Sequence, residues 1–186
     1  MTIDVRPTTI ADVKLLTPAK VHDQRGFLSE VFCHDDLAAA GIAFDVMQEN
    51  HLMSVRLGTI RGLHFQTPPC AQAKLVRAVR GRVFDVAVDL RRSSPSFGRH
   101  VAVELSAANW HQLYIPEGFA HGVCSLEADT EVVYKASACY SRECARGLLW
   151  NDPDLGIEWP IDATAACLSE PDRAHPRLRE LPVFFN

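Results

Sequence analysis

The apolar residues of this chain fall into short runs between about residue 44 and residue 150. Residues 75–79, 83–89 and 101–105 alternate or run apolar, and 112–115, 122–126 and 132–136 follow the same habit. Arg80-Gly81, the stretch 93–98 and Pro116-Glu117-Gly118 put turn residues between them. In an extended chain every second side chain shares a face, so these runs read as strands. Many short strands at even spacing predict a β-sandwich or barrel. Residues 24–32 open on a glycine turn and run into an extended segment. Residues 35–41, Asp-Asp-Leu-Ala-Ala-Ala-Gly, predict a short helix with an aspartate N-cap and a glycine stop. The final stretch carries Pro153, Pro160, Pro171, Pro176 and Pro182, which predicts an irregular tail wrapped over the barrel.

With 186 residues and 47% hydrophobic content the chain can build one full core, and no repeat, linker or low-complexity segment divides it. A single domain over residues 1–186 is expected. The net charge of -4 argues against nonspecific nucleic-acid binding, which needs a basic face, but leaves room for an anionic small ligand. No apolar run approaches the roughly 18 residues of a membrane span. The opening Met-Thr-Ile-Asp-Val-Arg-Pro lacks the basic-then-apolar layout of a signal peptide. The six cysteines contain no Cys-x-x-Cys pair, so free thiols in a reducing cytoplasm are expected.

Candidate chemistry concentrates in two stretches. The first is Gly58-Thr-Ile-Arg61-Gly-Leu-His64-Phe-Gln66 with Gln72-Ala-Lys74 running on to Gly81; the second is Pro116-Glu-Gly-Phe-Ala-His121-Gly. Together they resemble the two motifs of a cupin barrel. A metal-binding cupin supplies His-x-His and a Glu from the first motif and another His from the second. Here His64 and His121 stand in place, but Gln66 replaces the second His and Lys74 the Glu. A protonated lysine has no lone pair and repels a divalent cation, so no metal ligation is expected at these positions. Arg61 and His64 break strict alternation, which predicts a bend at Gly62. His121 follows a Pro-x-Gly turn, which predicts a strand start near the barrel mouth. A lysine within an apolar strand is rarely buried without a task, which marks Lys74 as functional. Tyr134 shares a face with Val132 and Ala136 and should point inward. For His64, His121 and Tyr134 the residues alone leave a packed core position open as the alternative.

Further runs complete the pattern: Val83-Phe-Asp-Val-Ala-Val-Asp-Leu-Arg91, Ser94-Pro-Ser-Phe-Gly98, Tyr134-Lys135, Asp152-Pro-Asp-Leu-Gly-Ile-Glu-Trp-Pro160 and Leu168-Ser169. In order and spacing, over nearly the whole chain, this sequence resembles the dTDP-4-dehydrorhamnose 3,5-epimerase family. The resemblance implies an all-β fold, a double-stranded β-helix or cupin-like jelly roll with a few short helices, assembled as a homodimer, with no cofactor. It implies a dTDP-4-keto-6-deoxy sugar as substrate, with C3 and C5 inverted on the way to dTDP-rhamnose. It assigns His64 as general base, Tyr134 as general acid, Asp172 as the carboxylate orienting the histidine, and Lys74 as the cation beside the developing enolate. Arg61 and His121 match substrate-binding positions. Arg25, Glu30, Gln48 and Asn50 match early binding residues, some of which serve a partner subunit's pocket in the family pattern. Tyr140 matches an aromatic that packs on thymine, and Phe27 is a candidate for its other face. The sequence departs from the family at Leu28, Glu49, Cys139 and Pro171. Pro171 stands where a basic residue often precedes the aspartate, and Arg173 is the candidate replacement. A relative that inverts one centre, or acts on another nucleotide-linked keto sugar, would carry the same base, acid and cation. A noncatalytic sugar-nucleotide binder and a metal-dependent cupin oxygenase are the more distant alternatives.

Overall fold

The computed structural model describes residues 3–186, so Met1 and Thr2 of the opening segment lie outside it. The strands are β1 (Ile3–Pro7), β2 (Lys14–Pro18), β3 (Val21–Asp23), β4 (Gly26–Leu28), β5 (Gln48–Ser54), β6 (Ile60–Gln66) and β7 (Lys74–Arg80). After these come β8 (Arg82–Asp89), β9 (His100–Ser106), β10 (Gln112–Ile115), β11 (Phe119–Ser125), β12 (Thr130–Ala136) and β13 (Ala145–Gly147). One sheet has the order β1-β2-β10-β7-β12-β5 and the other β13-β6-β11-β8-β9, while β3 and β4 form a separate hairpin. All paired strands run antiparallel. The two sheets close face to face on a core that includes Val76, Val83, Ala87, Leu113, Ile115, Val123 and Val132. This is the jelly-roll arrangement that the strand spacing and the family resemblance anticipate.

Strand β8 shows why its sequence runs nearly continuously apolar. Val83 and Ala87 face the inter-sheet core. Val86 and Val88 face outward, where Leu155, Ile157, Leu178, Leu181, Phe184 and Phe185 of the tail cover them. A strand covered on both faces has no need for alternation. The tail therefore wraps the barrel as expected. The run Asp89-Leu-Arg91 with Ser94 and Ser96 is a structural lock. Fully buried Asp89 accepts hydrogen bonds from Arg91 Nε at 2.9 Å and from Ser94 Oγ and Ser96 Oγ at 2.7 Å each. Burial alone would raise its carboxyl pKa, but the Arg91, Ser96 and Ser94 bonds prevail and hold it at about 2.

Three local expectations are corrected. Helix α1 (His34–Ala39) is capped by Cys33 without a side-chain bond, and Asp35 and Asp36 lie in its first turn rather than at the cap. Strand β11 begins at Phe119, so His121 is its third residue and not a strand start. Within residues 24–32 only 26–28 pair as a strand.

Candidate active site

A cavity of about 680 Å³ opens between the sheets. His64 and His121, on neighbouring strands β6 and β11, are directly paired and line the wall formed by the five-stranded sheet. Lys74 and Tyr134, from β7 and β12, line the wall formed by the six-stranded sheet. The expected bend at Gly62 is present. Its φ is 131°, the β6–β11 register shifts between His121 and Val123, and Arg61 and His64 both reach the cavity. A side chain at Gly62 would meet Gly122 Cα at 2.6 Å and the His121 carbonyl at 2.8 Å, so only glycine lets the strands approach here.

His64 Nε2 lies 2.7 Å from Asp172 Oδ1, leaving Nδ1 as the nitrogen free for chemistry. Asp172 sits in α2 (Glu170–Arg173), whose N-cap Ser169 accepts a hydrogen bond from the Asp172 backbone N–H at 3.3 Å. Burial acts to raise the Asp172 carboxyl pKa. The His64 ring, the Ser169 hydroxyl and the Gly62 N–H outweigh it and hold the group below the usual carboxylate value. The aspartate is thus ionised and fixes the imidazole's orientation.

Lys74 is buried, and its Nζ donates to the His64 carbonyl at 3.4 Å, reaching from one sheet to the other. Desolvation pushes its pKa down to about 8, with the Asp85 charge partly resisting. His121 is also buried, with Nε2 3.0 Å and 3.1 Å from the two oxygens of fully buried Asp85. Burial lowers the His121 pKa, and Asp85 only partly offsets that. Burial raises the Tyr134 pKa while nearby Arg61 lowers it, and the net direction is upward, so the phenol holds its proton at neutral pH. The Lys74 ammonium is 5.8 Å from the Tyr134 ring centroid. Arg61 is anchored by bonds from Nη2 to the Met53 carbonyl at 2.8 Å and from Nε to Ser54 Oγ at 3.3 Å.

Gln66, at the vanished metal-ligand position, is occupied otherwise. Its Nε2 donates to the Cys70 carbonyl at 2.7 Å and the Cys139 carbonyl at 3.2 Å, and its Oε1 accepts from Ser141 N–H at 2.6 Å. Tyr140 stands exposed at the cavity rim. Its backbone N–H donates to Gln48 Oε1 at 2.7 Å, and Gln48 in turn donates to Asn50 at 2.9 Å, so Gln48 and Asn50 brace the Tyr140 loop without lining the cavity. Arg25, Phe27 and Glu30 do not line the cavity of their own chain. Phe27 packs edge-on against Trp110 at 5.1 Å between ring centroids, away from Tyr140, so within one chain it is not the second face of a ring clamp. Arg173 does not replace the basic residue lost at Pro171. Its Nη2 turns to the Ala166 carbonyl at 3.4 Å, and the cavity-lining arginine at that side is Arg146 of β13.

The family model described as dTDP-4-dehydrorhamnose 3,5-epimerase matches residues 7–180. The chain belongs to that family. It is an isomerase of the epimerase type. A dTDP-4-dehydrorhamnose 3,5-epimerase of Sinorhizobium fredii is 50% identical over 177 residues, covering 95% of this chain and 90% of that protein. The crystal structure of a dTDP-6-deoxy-D-glucose-3,5-epimerase of Legionella pneumophila, in complex with dTDP-4-keto-L-rhamnose, superposes with a TM-score of 0.92 at 38% identity, covering 97% and 95% of the two chains. A 3'-monoepimerase from Streptomyces bikiniensis, in complex with dTDP-quinovose, gives 0.86 at 35% identity over 94% and 87%.

Three members of the site were missed from sequence. Asp85 was visible only as one carboxylate in an apolar strand. Arg146 and His175 carry no periodic signal. All six cysteines are unpaired, as expected. Among the described residues no helix is long and apolar enough to cross a membrane.

Proposed function

We propose that this protein inverts C3 and C5 of dTDP-4-keto-6-deoxy-D-glucose to give dTDP-4-keto-L-rhamnose, with His64 as base and Tyr134 as acid. The observation that carries this reading is the placement of His64 and Tyr134 on opposite walls of one cavity. The C–H bonds flanking a ketone are acidic because the resulting carbanion delocalises onto the oxygen as an enolate. His64 Nδ1 removes the proton, and the ionised Asp172 stabilises the imidazolium that forms. Inversion requires the new proton to arrive on the opposite face, where Tyr134 stands. The buried Lys74 ammonium stands beside the developing negative charge and stabilises it. Arg61 and the Tyr140 ring supply diphosphate and base-stacking contacts. No step calls for a redox cofactor. Product analysis by proton NMR with purified protein and dTDP-4-keto-6-deoxyglucose tests the reading. The L-rhamno configuration is expected, and inversion at C3 alone would instead align this chain with the monoepimerase.

Lys74 links function to stability. Its folded pKa, about 8 against an ordinary 10.5, means that below pH 8 the fold bears the full cost of a buried charge. That cost is at most about 3 kcal/mol. Between pH 8 and 10.5 the unfolded chain binds the extra proton, so stability rises with pH across that window. Lys74→Met is expected to unfold at higher temperature than the parent at pH 7, to lose that rise, and to epimerise at least ~100-fold more slowly. Thermal unfolding across pH, with parallel rate measurements, checks all three.

The protein acts as a homodimer on this reading. The β3–β4 hairpin exposes Val21, Phe27 and Leu28, and the edge strand β5 with its flanks exposes Met47, Met53, Val55 and Leu57. An open, apolar sheet edge seeks a partner. A second chain would cover this edge and bring Arg25, Glu30 and Phe27 to a neighbouring cavity. Light scattering at micromolar concentration should give twice the chain mass, and a fully active monomer would end the idea.

A further inference from the structure

Beside the proposed base lies a histidine that the mechanism does not use. His175 follows α2 by two residues, and its Nε2 is 3.4 Å from Asp172 Oδ1, the same oxygen that His64 Nε2 contacts at 2.7 Å. The His64 and His175 rings stand edge to face, 5.7 Å apart at 90°. Among the described residues, His175 Nε2 is the one buried side-chain nitrogen or oxygen without a hydrogen-bond partner. A buried polar atom left in that state needs an occupant or an explanation. The ring is also held where it is by the chain opposite. Gly147 of β13 leaves the space it fills, since a Cβ there would strike the imidazole.

One ligand atom from each of His64, Asp172 and His175 lies within 4.8 Å of the other two. Two imidazoles and a carboxylate form a donor set suited to zinc and neighbouring transition metals. Zinc–nitrogen bonds of about 2.0–2.1 Å place the ligand atoms of a tetrahedral site about 3.3 Å apart. The Asp172–His175 separation already matches, and the Asp172–His64 separation needs to open by only about half an ångström. His64 has room to do so, because its side chain is 49% exposed, while Asp172 at 7% is fixed. The two cupin metal-ligand positions at Gln66 and Lys74 play no part in this cluster.

We infer that His64, Asp172 and His175 form an inhibitory site for zinc-type divalent cations, in which the metal takes the place of the proton between His64 and Asp172 and holds His64 in the tautomer whose Nδ1 is protonated and cannot act as base. His64 changes tautomer through solvent: Nε2 gives up its proton and Nδ1 takes one, so Nε2 offers its lone pair to the metal beside the Asp172 oxygen while Nδ1–H can no longer accept the sugar's proton, and no electron transfer occurs. Inhibition, though not metal binding, rests on the reading of His64 as base. Chelation should leave the purified enzyme's rate unchanged or raise it, since the reaction itself needs no metal.

The test uses the full chain, freed of metal with a chelator and desalted. Epimerisation is measured against added Zn²⁺, each variant being compared with its own metal-free rate. The parent is expected to be inhibited reversibly, with recovery on chelation. His175→Ala and His175→Gln should each need at least roughly tenfold more Zn²⁺ for half-inhibition. A zinc-soaked crystal should show anomalous density between the three side chains, which separates this site from zinc held by the cysteines. Equal sensitivity of the parent and both variants, or no anomalous density at the trio, would overturn the inference. Density at the trio with undiminished epimerisation would uphold the metal site and overturn His64 as the base.

Discussion

His64→Ala is expected to abolish both epimerisation and exchange of the sugar's C–H protons with heavy water. A positioned general base contributes roughly 10²–10⁴-fold, and nothing else on the His64 wall can replace it. His121 is the other cavity-lining imidazole of that sheet, but both Asp85 oxygens lie within 3.1 Å of its Nε2. Loss of the base stops enolate formation, so exchange and inversion fall together. Asp172→Asn should give a smaller loss of the same kind, because it keeps the ring's place but removes the charge that stabilises the imidazolium. Proton NMR in deuterated buffer reads both processes in one experiment. Exchange that persists in His64→Ala would place the base elsewhere.

Tyr134→Phe is expected to separate what His64→Ala loses together. The ring stays, and so does its packing against the inter-sheet core. Only the hydroxyl disappears. His64 still forms the enolate, and Lys74 still stabilises it. No donor then waits on the six-stranded wall, so the proton returns from the His64 side, often after trading with solvent. Deuterium enters the sugar without inversion. The effect on inversion should be in the same roughly 10²–10⁴-fold range while exchange is largely spared.

The contrast between these variants depends on geometry that the sequence carried unevenly. The bend at Gly62 was legible because Arg61 and His64 could not both face the cavity on a regular strand. Lys74 was legible because an ammonium in an apolar strand demands a reason. The position of His121 was misread, since β11 is buried along its whole length and has no alternation to mark where it begins. Asp85 escaped for a related reason: β8 is covered on both faces, so its inward carboxylate had no periodic neighbour to reveal its direction. His175 lies where the chain follows the barrel rather than a strand period, and Arg146 lies on a strand of only three residues, too short to show one. Arg173 looked closer in sequence to the site than Arg146, yet the turn of α2 sends it to the Ala166 carbonyl. Arg25, Phe27 and Glu30 lie outside their own chain's cavity because they sit on, or two residues after, a hairpin apart from both sheets.

The central claim is that two residues on opposite walls pass protons to opposite faces of one enolate. The most direct measurement is the ratio of deuterium incorporation to inversion at C3 and C5 for the parent and Tyr134→Phe, followed by proton NMR in deuterated buffer. The account predicts incorporation coupled to inversion in the parent, and incorporation far outrunning inversion in Tyr134→Phe. If Tyr134→Phe inverts the sugar as fast as the parent, Tyr134 is a packed core tyrosine and the two-walled mechanism is wrong.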